Sequence, residues 1–152
     1  MGQRQKRAVT GEGRLKNDIF EGLNILLVEE EALIAMDIEQ LCYDLGAATV
    51  ETVNSEAKLC PEALDSAGAN ARMLGFDAAI LDAKVGEGCT TDLARRLKEH
   101  GIPFVFATGY TSGDAIFEEF PDVPVVSKPY TADELVSAIR SVVDRARLSH
   151  CR

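Results

Sequence analysis

The chain has 152 residues, 46% of them apolar and 27% charged, which is enough for one domain with a single core and too little for two. Its formal net charge of -9 excludes a nonspecific grip on nucleic acid, because such a surface repels a polyanion within the screening length. A basic or phosphorylated protein partner fits that surface better.

The charge is uneven. Arg4, Lys6, Arg7, Arg14 and Lys16 face a single acid, Glu12, in the first sixteen positions, and no apolar period runs through residues 1–22, which reads as a mobile basic arm. Cys42, Cys60, Cys89 and Cys151 stand far apart with no C-x-x-C pair, and His100 and His150 are the only histidines. A structural zinc site is therefore not expected. No apolar run approaches the roughly 20 residues of a bilayer span, and no apolar stretch follows the N-terminal bases as in a signal peptide. The expectation is a cytoplasmic protein with reduced thiols, bound neither to membrane nor to nucleic acid.

From Asn24 the chain alternates strand and helix. Asn24 to Val28 is a short apolar run of strand length. Ala32 to Leu45 repeats Ile34, Ile38, Leu41 and Leu45 on one helical face, and Gly46 closes it. Ala48 to Val53 alternates as a strand does, and residues 55–74 read as a longer helical region carrying Pro61. Asp77 to Leu81 is a third strand and Asp92 to Glu99 a short helix with Gly101 past its end. Ile102 to Ala107 is a fourth strand, Ser112 to Phe120 a weak short helix, and Val123 to Val126 a fifth strand.

The last helix has the clearest start, because Thr131-Ala132-Asp133-Glu134 is a capping box in which Thr and Glu side chains satisfy orphan amides reciprocally. Leu135, Ala138, Ile139 and Val142 then form its buried stripe. Five apolar strands alternating with five helices predict a doubly wound α/β domain with a parallel sheet over residues 23–147, followed by a short tail at 148–152. In such sheets a ligand site lies at the carboxyl ends of the strands. Four strand ends here carry a metal-binding, phosphoryl-accepting or oxygen-binding residue: Glu29 and Glu30 after Val28, Asp82 after Leu81, Thr108 after Ala107, and Lys128 after Ser127.

In that order and spacing, Val28-Glu29-Glu30, Leu81-Asp82, Thr108 and Lys128-Pro129 resemble the receiver domain of bacterial two-component response regulators over about residues 23–145. Pro103-Phe104-Val105-Phe106-Ala107-Thr108-Gly109-Tyr110 is similar to the Pro-Phe-x-Phe-Ala-Thr-Gly-Tyr signature of one receiver subgroup. The resemblance implies a flavodoxin-like sheet of order 2-1-3-4-5. It implies that Asp82 accepts a phosphoryl group from a phosphohistidine on a sensor histidine kinase or phosphotransfer protein. Glu29, Glu30, Asp82 and the backbone carbonyl of Lys84 would hold Mg2+, and Thr108 and Lys128 would contact the phosphoryl oxygens. The Lys128-Pro129 bond would be cis, and Lys128, balanced at rest by the metal and the carboxylates, would gain its decisive partner only when the phosphoryl group arrives.

Two positions depart from the family's pattern. Glu30 stands where the family usually has aspartate, and Val125 stands where it has the ring that turns inward on phosphorylation. Tyr110, next but one after Thr108, is the ring expected to take over that switching role. The segment between the second and third strands is also longer than usual. Three classes follow: a phosphorylatable receiver acting alone, since too little sequence follows Leu148 for an output domain; a degenerate receiver that binds a partner without phosphorylation; and an aspartate-nucleophile phosphatase. The last would need a second acid two residues after Asp82, where Lys84 stands, so the expectation is a phosphoacceptor and not an enzyme.

Overall fold

A computed structural model describes residues 19–54, 75–83, 89–109 and 115–150. Five parallel strands, β1 (Asn24–Val28), β2 (Thr49–Val53), β3 (Ala78–Leu81), β4 (Phe104–Thr108) and β5 (Val125–Ser127), form one sheet in the order β2-β1-β3-β4-β5. The described helices are α1 (Ala32–Asp44), α2 (Cys89–Glu99), α3 (Ala115–Glu119) and α4 (Ala132–His150). The helical region expected at 55–74 lies outside the described residues. Among the described residues no helix is long and apolar enough to cross a membrane.

Strand alternation divides the core into two layers. Ile25, Leu27, Ile80, Val105 and Val126 point toward α1 and α4, meeting Ala35, Ile38, Leu135, Ile139 and Val143. Leu26, Val28, Leu81, Phe104 and Phe106 point the other way, toward Leu93 and Leu97 of α2 and toward Phe120, with Phe117 of α3 packed alongside. Both faces of the central strands are thus covered, as their continuous apolar sequences require.

Several boundaries move by one to three residues for identifiable reasons. Pro103 and Pro124 lack the N–H a ladder needs, so β4 and β5 start after them and run on through Thr108 and Ser127. Helix α2 starts at Cys89, ahead of Asp92, which occupies its first turn as a favourable charge against the helix dipole. The deepest stripe of α1 is Ala35, Ile38 and Cys42, with Ile34 and Leu41 only half-buried. The two small residues let α1 approach the sheet closely, and an apolar period alone does not reveal which edge of the stripe is centred. On α4 the same one-residue rotation replaces Val142 with Val143.

The expected arm of residues 1–22 does not hold for its last four residues. Ile19 and Phe20 are buried, and the turn they begin is tied to the end of α1 by Phe20 N–H to the Leu45 carbonyl and Gly22 N–H to the Gly46 carbonyl, each at 3.0 Å. Two bulky side chains without a repeating neighbour give no periodic signal, yet burying each contributes about 1.5–3 kcal/mol. The tail expected from 148 is likewise corrected, because α4 continues to His150.

Candidate functional site

Strand register builds the site. Val28 pairs with Leu81 and Leu81 with Phe106, so Glu29 and Asp82, one step further on, are neighbours at the carboxyl edge of the sheet. Their own amides extend the ladder, Asp82 N–H donating to the Val28 carbonyl at 2.9 Å and Glu29 N–H to the Val53 carbonyl at 3.1 Å. Thr108 pairs with Ser127, which leaves Lys128 one residue beyond the strand, its N–H donating to the Thr108 carbonyl at 2.9 Å. The Lys128-Pro129 peptide is cis.

Lys128, Glu29 and Asp82 converge. The ammonium stands 2.7 Å from Glu29 Oε1, donates to Asp82 Oδ2 at 3.1 Å, and lies 3.9 Å from Glu31 Oε1 at the rim. Glu29 is 1% exposed, Asp82 4% and Thr108 0%. The lysine is therefore already engaged by carboxylates at rest.

Glu29 is neither in a helix nor a surface acid. Helix α1 begins after Glu31, has no acid in its first turn, and Glu29 Oε2 accepts the Glu31 N–H at 3.1 Å across the strand-to-helix turn. Burial pushes the Glu29 carboxyl above its ordinary range; Lys128 and the Glu31 amide pull it back, and the nearby Asp82 carboxylate raises it again. Burial also works against the Lys128 charge, but its hydrogen bonds to Glu29 and Asp82 outweigh this and hold the ammonium above its usual value.

Glu30 is exposed and does not join this cluster, and among the described residues no group of three or more acid, His or Cys side chains is arranged to hold a metal ion. Lys84 and Tyr110 lie outside the described residues. The Glu29 and Asp82 pair nonetheless fits a hard dication: two buried carboxylates share one cationic partner, and their mutual repulsion is what an oxygen-seeking ion would relieve.

One ring was not anticipated. Tyr130, directly after Lys128-Pro129, packs against the α1 and α4 layer, and its hydroxyl is buried without a hydrogen-bond partner among the described residues. Burial pushes this phenol up to about 12, with the Glu29 charge adding to it. With Ile34, Ile38, Leu41, Pro129 and Leu135 it lines a cavity of about 670 Å³ that opens beside Lys128. Its position after a Lys-Pro pair was the available signal.

No family model matches the chain, and no curated protein matches it. Solved structures do. A response regulator receiver protein from Sinorhizobium medicae WSM419 is 25% identical, with 83% of this chain and 98% of that chain covered at a TM-score of 0.66. A response regulator receiver domain from Clostridium thermocellum is 26% identical, with the same coverage and a TM-score of 0.62. The non-phosphorylated HemR receiver domain from Leptospira biflexa is 25% identical over 80% of this chain and 94% of that chain, at 0.59. The structural neighbours of this chain are response-regulator receiver domains.

Proposed function

We propose that this chain is a receiver module that accepts a phosphoryl group on Asp82 from a histidine kinase or phosphotransfer protein and passes the signal on by changing shape. The observation that carries the reading is the convergence of Lys128 on Glu29 and Asp82 at the carboxyl edge of the sheet, with Thr108 ending the adjacent strand.

The chemistry follows from the groups. Asp82 is a charged nucleophile with no proton to remove. One of its oxygens forms a bond to phosphorus as the phosphorus–nitrogen bond of a phosphohistidine breaks, and the electron pair leaves with the imidazole. Glu29 and Asp82 would hold Mg2+, joined by the Lys84 carbonyl and by Glu30 once its exposed side chain turns inward, and the bound ion would supply the positive charge that lets a phosphoryl dianion approach clustered carboxylates. Lys128 would turn from the carboxylates to the phosphoryl oxygens, and the Thr108 hydroxyl would donate to another. The module is then a phosphoacceptor with at most slow self-dephosphorylation, not a turnover enzyme. The groove beside Lys128, and the exposed Leu33 and Met36 on α1, offer an apolar surface for the donor protein next to the acceptor.

Incubation with Mg2+ and acetyl phosphate, followed by intact mass, should add one phosphoryl unit to the native protein and none to Asp82→Asn. Labelling that persists in the Asn variant overturns the assignment. A second reading, a degenerate receiver that binds its partner without phosphorylation, draws on Lys128 already contacting both buried carboxylates and on the absence of a ring at Val125. A native protein that takes up no label with donor and Mg2+ in excess decides for it.

A further inference from the structure

Helix α3 has five residues, too few to be stable by its own hydrogen bonds, so its position is set by what grips it. Among the described residues two grips stand out. On the core side, Phe117 meets the fully buried Phe106 edge-on at 5.5 Å, and Phe120, just past the helix, packs on Phe104 at 5.8 Å and Phe106 at 6.1 Å. On the solvent side, Glu119 takes both oxygens to one guanidinium: Arg95 Nη2 donates to Oε1 at 2.7 Å and Arg95 Nε to Oε2 at 2.5 Å. Arg95 is itself steadied by Asp92, one turn earlier on α2, at 3.1 Å.

The two grips differ in kind. The aromatic one lies on the same strand and the same face as Thr108, since Phe104, Phe106 and Thr108 alternate together along β4. The ionic one is half in water and anchored on α2, whose Leu93, Ala94 and Leu97 are locked in the core. A rearrangement at Thr108 is therefore felt by Phe106 and Phe117 directly, whereas the fork to Arg95 resists it. Strand β5 offers no such path, because Val125 is 40% exposed and carries no ring.

We propose that the Arg95–Glu119 fork is a catch that holds α3 in its resting position, and that loading of the acidic site releases it through Thr108, Phe106 and Phe117. The release step rests on the receiver reading; the catch in the resting protein does not.

Hydrogen exchange of residues 115–120 tests both parts. In the unloaded protein, Arg95→Ala and Glu119→Gln should each speed exchange there by about two- to fivefold, the range an exposed bidentate pair supports, and the double variant should be no faster than either single one. Exchange rates within error of the native protein overturn the catch, whether or not the protein can be phosphorylated. In the native protein, acetyl phosphate with Mg2+ should bring a comparable change at 115–120, and the two variants should respond less. Intact mass on the same samples reports loading separately: full loading with no change at 115–120 overturns the release step, and no loading overturns the receiver reading and the release with it.

Discussion

The Lys128 ammonium lies closer to Glu29, at 2.7 Å, than to Asp82, at 3.1 Å, so the resting anchor of this lysine is the deeper of the two acids. Lys128→Ala would leave two buried carboxylates facing each other without a cation. Urea unfolding at neutral pH should show a loss of about 1–3 kcal/mol, and adding Glu29→Gln should recover much of it. The pH dependence follows from the raised pKa of Glu29. The folded state keeps the Glu29 proton to higher pH than the unfolded chain, whose carboxyl titrates near 4.5, so this group's contribution to stability falls as pH rises through its folded pKa. The deficit of Lys128→Ala should therefore shrink below that window. A variant as stable as the native protein at neutral pH would show that Lys128 is not the resting counterion.

Glu30 is exposed and one methylene longer than the aspartate expected at a Mg2+ site, whose shell of roughly 2.0–2.1 Å tolerates little misplacement. Glu30→Asp should bind Mg2+ more tightly than the native protein when the ion is titrated against an amide signal near Asp82. Equal affinity would remove Glu30 from the coordinating set.

Tyr130 should ionise late. Phenolate absorbance should place one tyrosine at about 12, and Tyr130→Phe should delete that step. An unfolded tyrosine ionises near 10.0. Between these values the unfolded state gives up a proton the folded state keeps, so alkaline stability should decline with rising pH less steeply in Tyr130→Phe.

Gly46 ends α1 with φ +98°, and a Cβ there would meet Glu21 Oε2 at 2.6 Å and Glu21 Cα at 3.0 Å. Gly101 ends α2 with φ +69° and nothing within 4 Å. Gly101→Ala should cost about 1–2 kcal/mol for the left-handed backbone alone, and Gly46→Ala distinctly more. Equal losses by thermal melting would mean that the turn at residues 19–22 yields freely.

The parallel sheet was legible because the runs Ile25–Val28, Ala78–Leu81 and Phe104–Ala107 are apolar at every position, a signature that survives without tertiary information, whereas the strand order came only from the family resemblance. Asp82, Thr108 and Lys128 were legible because each stands at the end of such a run. The coordination of Lys128 by Glu29 was not, since it depends on register between strands distant in sequence. The grip of Arg95 on Glu119 was hidden for the same reason: two charged residues on separate short helices look like any solvated pair until the helices are placed. Phe20 escaped because it precedes the first strand in a stretch without period.

That phenylalanine sets where the domain can be cut. The sheet starts at Asn24, and a shortened version beginning there would look complete by secondary structure. It would nevertheless leave a hole the size of an aromatic ring against the last turn of α1, a defect of the order of 3–5 kcal/mol when made by substitution. A peptidase that cut between Ile19 and Gly22 would thus remove buried side chains of the core although every strand stayed intact.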